Sequence, residues 1–309
     1  GLTIEDVTTD ERILSLIEKT MAQPDESYAH HTDEITLADA DEDGDRIIGV
    51  RCIPFKDRLK RKLGTVTLMQ DITALKRINE MKSDFVSMVA HELKSPLNSI
   101  MMQLNVVLDG LAGDLTDKQR EILSRNYSRL ESLTQLTAEL LDLSKMESGL
   151  INQERQMLNL TDIMNDRVEL YTERAAEKSI AIETRTGDSD IQVFGNRNNI
   201  EEIFSNLISN AIRYTPEKGQ VMVSLAPEKD GALIRVKDNG LGISEDEIDN
   251  IFTKFYRVKT ARTRDIPGTG LGLAIVKKII ESHHGTIEVD STEGQGTCFS
   301  VFLPGSDDS

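Results

Sequence analysis

The chain has 309 residues, enough for two or three domains and at least one sizeable core. A net charge of −17 repels nucleic acid and anionic membrane at long range, and no Trp with 4% aromatic residues argues against an aromatic-rich nucleic-acid platform. Cys52 and Cys298 stand far apart with no zinc-like Cys/His spacing, and no run reaches the ~20 apolar residues of a membrane span.

Residues 1–72 read as a small α/β piece. In "TTDERILSLIEKTM" the residues Ile13, Leu14, Ile17 and Met21 keep a helical period, and Thr8 and Glu11 are spaced as a capping box. "DEITLAD", "DRIIGVRCIPF" and "LGTVTLMQDIT" then read as strands. The turn between the first two places Asp39, Asp41, Asp43 and Gly44 as the start of a calcium loop. Its twelfth position is Val50, where a bidentate Glu is needed, so a solvated hairpin turn is predicted.

From about Ile72 to Leu111 the pattern is one long helix. Leu75, Ile78, Met81, Phe85 and Met88 recur at spacings of three and four, a coiled-coil-like stripe. "AGDLTD" breaks it, and Thr116 with Gln119 caps a second helix whose apolar face is Leu123, Leu130, Leu133, Leu136, Leu140 and Leu143. Two long helices on a short loop predict an antiparallel hairpin. A hairpin cannot cover its own stripe, so a second copy and a four-helix bundle follow. Within "FVSMVAHELKSPLNS", Pro96 removes the bond to the Glu92 carbonyl and loosens the turn carrying His91. A histidine beside a carboxylate on a disturbed helix reads as a chemical handle.

Beyond about Gln156 the pattern is mixed α/β. Helices are predicted at 161–178, 197–214, 244–255 and 271–284, the third opened by a Ser244–Glu247 capping box. Strands are predicted at "IAIETR", "IQVFG", "QVMVSLA", "ALIRVKD", "GTIEVDS" and "GTCFSVFLP", giving a two-layer sandwich with helices on one face of a mixed sheet.

Three stretches carry chemistry. In "NIEEIFSNLISNAIRYT", Ile200, Ile203, Phe204, Leu207, Ile208 and Ala211 form a full core face, and Asn206, Asn210 and Arg213 stack along another flank. Two amides and a guanidinium suit Mg²⁺ and the phosphates it bridges, although a solvated helix face has the same pattern. In "VKDNGLGIS", Asp238 ends a strand and could accept from an exocyclic amine, with Gly240 and Gly242 allowing close approach. In "RDIPGTGLGLAIVKKII", Gly268, Gly270 and Gly272 lead into a helix N-terminus, an anion site. The spacing matches neither a dinucleotide fingerprint nor a Walker loop. Lys254, Arg257, Lys259, Arg262 and Arg264 precede it, a local positive patch on a stretch that reads as a mobile lid.

The order of these stretches resembles the cytoplasmic part of a bacterial-type sensor histidine kinase over about residues 72–305. "FVSMVAHELKSPLNSI" is similar to the family's phosphoacceptor box and "NLISNAIRYTP" to its N box. "DNGLGIS" and "GTGLGLAIVKKII" are similar to its two glycine boxes, and "IFTKFYR" to its F box. The resemblance implies a multidomain α+β chain. Residues 1–72 would be the C-terminal part of a PAS-like sensor domain, 73–150 a dimerisation and phosphoacceptor hairpin, and 151–309 an ATP-binding (Bergerat) α/β sandwich. That sandwich is shared with gyrase, heat-shock chaperones and mismatch-repair ATPases.

The resemblance also implies roles. Asn210 binds Mg²⁺ with Asn206 beside it, Arg213 reaches the phosphates, Tyr214 lies along the nucleotide, and Asp238 reads adenine in the space given by Gly240 and Gly242. Gly268, Thr269, Gly270, Leu271 and Gly272 surround the phosphates, and Ile243, Phe252, Lys254 and Leu273 complete the nucleotide set. Arg257 steadies the γ-phosphate, His91 is the nucleophile and Glu92 accepts its second ring proton. ATP and Mg²⁺ are the implied cofactors. A second copy and the receiver domain of a response regulator are the implied partners, and the location is cytoplasmic in a parent that a membrane could anchor. Ser95 stands where Thr or Asn often positions water for dephosphorylating the partner, which leaves phosphatase activity open. The related hydrolases carry a water-activating Glu four residues before the metal-binding Asn, and Asn206 holds that place here. A scaffold with a degenerate ATP fold and a conformational ATPase are the competing readings.

Overall fold

The computed structural model describes residues 10–22, 31–37, 45–58, 61–148, 155–187, 191–264, 266 and 268–305. Thr8 and the acidic turn from Asp39 to Gly44 lie outside them. The chain divides into two compact units, Gly1–Asp84 and Phe85–Ser309.

In the first unit α1 (Glu11–Ala22) packs on an antiparallel sheet of β1 (His31–Leu37), β2 (Arg46–Lys56) and β3 (Lys62–Asp71), in that spatial order. Alternation along β2 turns Val50 and Cys52 inward, where they meet Ile35, Ile13 and Leu16. Register fixes which face is covered: Ile35 pairs with Ile48 and Cys52 with Thr67. The buried face of α1 is Ile13, Leu16 and Thr20, while Met21, part of the predicted stripe, is 45% exposed. Asp71 ends the sheet and starts α2 (Thr73–Leu108). Its Oδ1 accepts from the Thr73 N–H at 2.9 Å and the Thr73 hydroxyl at 2.6 Å. Those bonds hold the Asp71 carboxyl below the usual range.

In the second unit α2 continues unbroken through Pro96 and meets α3 (Asp117–Ser148). The helices run antiparallel, as three contacts show. Arg120 Nη1 donates to the Leu108 carbonyl at 2.8 Å, Asn105 Nδ2 to the Tyr127 hydroxyl at 3.4 Å, and the Thr134 hydroxyl to Met101 Sδ at 3.6 Å. The predicted capping box at Thr116 forms: its N–H donates to Gln119 Oε1 at 2.9 Å, and the Gln119 N–H returns to Thr116 Oγ1 at 3.4 Å. Leu136, Leu140 and Leu143 of α3 pack against the core of the following lobe, so the last turns of the predicted leucine face have an intramolecular partner. No helix among the described residues is long and apolar enough to cross a membrane.

The lobe holds β4 (Gln156–Asn159), α4 (Leu160–Glu177), β5 (Ala181–Thr186), β6 (Gln192–Gly195), α5 (Arg197–Tyr214), β7 (Gln220–Glu228), β8 (Gly231–Asp238), α6 (Glu245–Ile248), α7 (Gly272–Ser282), β9 (Thr286–Thr292) and β10 (Gly296–Pro304). Five strands form a mixed sheet in the order β5-β7-β8-β10-β9, with β5 parallel to β7 and the other pairs antiparallel. β4 and β6 make a separate two-stranded sheet, and β4 was not predicted. The helix predicted over 244–255 is only the four-residue α6. Ser244 makes no side-chain cap bond there: the Glu247 N–H donates to the Ser244 carbonyl at 3.0 Å, and the Glu247 carboxylate accepts from the Tyr256 hydroxyl.

The sheet buries Val223, Ile234, Val236 and Val301 against Ile200, Ile203, Phe204 and Leu207 of α5 and Ile275, Val276 and Ile279 of α7. Phe204 is fully buried. Phe204→Ala is expected to cost the lobe about 3–5 kcal/mol, read as a lowered denaturation midpoint. An unchanged midpoint would contradict the packing described.

Candidate active site

α5 is fixed at both ends. The Asn196 side chain caps its start by accepting from the Asn199 N–H at 3.1 Å. Lys178 Nζ donates to the Ile212 and Arg213 carbonyls, each at 3.0 Å, and so closes its end. With the apolar face locked into the core, the opposite flank presents Asn206, Asn210 and Arg213 to a cavity of about 700 Å³. Arg213 Nη1 donates to Asn210 Oδ1 at 3.4 Å. Burial lowers the Arg213 pKa; Tyr214 and Glu139 oppose that shift, and Arg174 and Arg257 add to it. A guanidinium stays charged under such pressure, so the site favours an anion.

Asn206 is oriented from below. Its Nδ2 donates to the Glu202 carbonyl at 3.1 Å and to Glu202 Oε1 at 2.6 Å. Burial pushes the Glu202 carboxyl up, the Asn206 bond opposes the shift, and Asp142 and Glu139 add to it. On its other side Asn206 Oδ1 meets Gly272, where a Cβ would come within 2.3 Å of it. A side chain at 272 would therefore displace the amide.

Asp238 ends β8 and is nearly buried. Its Oδ1 accepts from the Gly240 N–H at 2.8 Å and the Thr297 N–H at 3.3 Å. Burial raises its pKa against the pull of those bonds. With Oδ1 committed, Oδ2 is left for a donor in the cavity. Gly242 lines the cavity and also has a backbone role. Its φ is +67°, and a Cβ there would lie 2.0 Å from the Thr292 carbonyl. The glycine is needed for backbone packing against β9. Ile243 is held beside it by its N–H donating to Ser291 Oγ at 2.8 Å.

The loop Gly268–Leu271 leads into α7, an eleven-residue helix whose N-terminus faces the cavity through Gly272 and Leu273. Thr269 Oγ1 accepts from the Leu271 N–H at 3.2 Å and donates to the Glu139 carboxylate of α3. Arg257 Nη1 donates to the Gly268 carbonyl at 3.0 Å, and its Nη2 donates to the Ile266 carbonyl. A Cβ on Gly268 would lie 3.2 Å from Arg213 Nη1, so both guanidinium groups converge on this loop.

Of the residues singled out in the sequence, Asn206, Asn210, Arg213, Tyr214, Asp238, Gly242, Ile243, Arg257, Gly268, Thr269, Gly270, Gly272 and Leu273 line one cavity. Gly240, Phe252, Lys254 and Leu271 do not. Leu271 is fully buried in the core, and Phe252 packs on that core with Lys277 Nζ 5.5 Å from its ring centre. Pattern reading missed Thr297 and Glu139. Strand pairing alone brings Thr297 to Asp238, and Glu139 is hidden inside a leucine stripe.

His91, Glu92 and Ser95 lie on α2 and do not line the cavity. The His91 side chain is 83% exposed, with Nδ1 3.8 Å from Glu92 Oε1. This leaves Nε2 in solvent and a carboxylate beside the other ring nitrogen.

A phosphoacceptor-type helix pair followed by an α/β lobe with this cavity defines a class of protein. The segment 81–149 matches the His Kinase A (phospho-acceptor) domain, and 195–307 matches the histidine kinase-, DNA gyrase B- and HSP90-like ATPase domain. The chain belongs to the sensor histidine kinases of two-component systems. It is 33% identical over 243 residues to the sensor histidine kinase WalK of Bacillus subtilis, covering 78% of this chain and 39% of that one. It is 34% identical over 227 residues to the sensor histidine kinase RppB of Synechocystis, covering 73% and 49%. The chain thus spans less than half the length of these two relatives. Among solved structures, full-length ShkA in complex with AMPPNP aligns with TM-score 0.59 at 24% identity, covering 72% of this chain and 45% of that one. The Acinetobacter baumannii histidine kinase AdeS aligns at 0.50 and 22%, covering 70% and 98%. Both share the fold.

Proposed function

We propose that the lobe binds ATP, that the γ-phosphoryl group passes to the imidazole of His91, and that it then moves to an aspartate of a response-regulator receiver domain. The observation that carries this reading is the shared cavity. It sets a half-anchored carboxylate, Asp238, across from two amides, two arginines and a helix N-terminus on a glycine loop. An exocyclic amine suits Asp238 Oδ2, and phosphates suit Arg213, Arg257 and the loop amides. ShkA, of the same fold, was captured with an ATP analogue, which supports the assignment.

A Mg²⁺ ion fits the donor set, since Asn210 offers a hard amide oxygen and Asn206 stands one turn away. Among the described residues no group of three or more His, Cys, Asp or Glu side chains could hold a metal alone, so substrate phosphates would complete its shell. Bound there, the ion supplies neutralisation of phosphate charge. In the transfer, a bond forms between a ring nitrogen of His91 and the γ-phosphorus, the bond to the β–γ bridging oxygen breaks, and ADP leaves. Glu92 holds the proton at the second nitrogen, which raises nucleophilicity. The lobe must bring its nucleotide to His91, either of its own chain or of the second copy, because that residue is outside the cavity lining. Leu75, Ile78, Met81, Phe85 and Met88 are each more than half exposed, which supports a homodimer through α2. Residues 1–72 are taken as part of a PAS-like sensor, and the chain is read as working in the cytoplasm.

Incubation with γ-labelled ATP tests the reading. It predicts an acid-labile, alkali-stable label on the chain, and steady phosphate release with no labelled protein would favour a conformational ATPase. Affinity should also depend on pH through Asp238. The raised pKa means that protonation favours the folded lobe, a contribution present below the ordinary value of 3.8 and lost as pH rises through the folded value. Nucleotide binding has the opposite sign, because only the carboxylate accepts from an amine. Affinity is therefore expected to fall as pH drops through the raised value. In Asp238→Asn this step should vanish together with most of the affinity, and an unaltered pH profile in that variant would remove Asp238 from recognition.

A further inference from the structure

Glu139 breaks the pattern of its own helix. It lies between Leu136 and Leu140 on the face of α3 that packs against the lobe, with Leu143 one turn on, and it is 8% exposed. A charge in such a position is kept only where it has partners. Its Oε2 accepts from Thr269 Oγ1 in the glycine loop, its Oε1 accepts from Gln135 Nε2 at 3.0 Å, and its charge acts on the half-buried Arg213. Thr269 and Arg213 are two of the groups that would hold phosphate. The carboxylate thus stands at the anion end of the cavity, on a helix that forms one of its walls.

We propose that Glu139 is a built-in competitor of the nucleotide phosphates, a carboxylate that occupies Thr269 and the Arg213 field until ATP displaces it. This rests on the nucleotide reading and deepens it. A phosphate chain and Glu139 carry like charge and seek the same donors, so the two states exclude each other. Binding a triphosphate then takes the Glu139 carboxylate off the loop and weakens the hold of α3 on the lobe. The lobe becomes freer to move when, and only when, it is loaded. The adenine end of the cavity, at Asp238, takes no part in this competition.

Calorimetric titration of the full chain with ATP and with adenosine tests the proposal, using wild type, Glu139→Ala and Glu139→Gln. Loss of the carboxylate in Glu139→Ala is expected to tighten ATP binding about tenfold, within the usual range of site-to-site coupling. Glu139→Gln, which keeps a neutral acceptor for Thr269, should tighten it by a smaller factor. Adenosine affinity should stay unchanged in both. ATP affinity unchanged or weakened in both variants, or ATP and adenosine affinity rising together, would overturn the competition while leaving the nucleotide site in place. Binding of neither ligand by any of the three chains would overturn the nucleotide reading itself, and the competition with it.

Discussion

His91→Gln is expected to leave the chain unlabelled by γ-labelled ATP while ATP binding persists. The side chain is exposed on α2 and forms no part of the cavity lining, so its replacement disturbs neither packing nor nucleotide contacts. Glutamine has similar reach and polarity but no nucleophilic nitrogen, since its amide nitrogen donates and does not attack. The loss in labelling should be at least about a thousandfold, as expected when a reacting nucleophile is removed. Glu92→Gln gives a graded companion result. It keeps the shape beside Nδ1 and removes the proton acceptor, so labelling should slow by about 10²–10⁴-fold. Labelling of the His91→Gln chain at wild-type level would place the acceptor elsewhere.

Asn210→Ala is the second large effect. Asn210 is half-buried at the cavity wall, and its Oδ1 accepts from Arg213. Removing it deletes a hard oxygen ligand and frees the guanidinium that it helps to place. The expected loss in labelling is about 10²–10³-fold, because charge neutralisation on phosphates contributes several kcal/mol in such sites. Adenosine binding should survive, since Asp238 and its two N–H donors are untouched. Magnesium should no longer tighten ATP binding in this variant. Retention of a full magnesium effect would move the ion to another residue.

Much of the lobe was legible because its elements are long and regular. The bounds of α5 agree with the predicted 197–214, which follow from the core face of Ile200, Ile203, Phe204, Leu207, Ile208 and Ala211. The sheet strands were legible from short runs in which apolar and polar residues alternate, as with Val221, Val223 and Leu225 of β7. What escaped detection depends on tertiary contact. β4 is four residues long and exists only by pairing with β6, so it has no periodicity of its own. Ser244 and Glu247 have capping-box spacing, but Tyr256 takes the Glu247 carboxylate. Leu271 sits inside a phosphate-loop motif and yet points into the core, because a helix that starts on a loop must also be pinned to the sheet. Gly242 lines the cavity, and its second role, room for the Thr292 carbonyl, depends on a strand far along the chain. Glu139 was invisible because a sequence pattern does not say which residue of another element faces a buried charge.

The central claim is that a phosphate held by the lobe reaches an imidazole in preference to water. Single-turnover mixing with γ-labelled ATP, quenched at successive times, measures how the label divides between protein and free phosphate. Transfer to His91 predicts that protein-bound label appears first and equals the ADP formed, with free phosphate following later from that pool. Free phosphate that appears together with ADP, with no earlier protein-bound label, would contradict it.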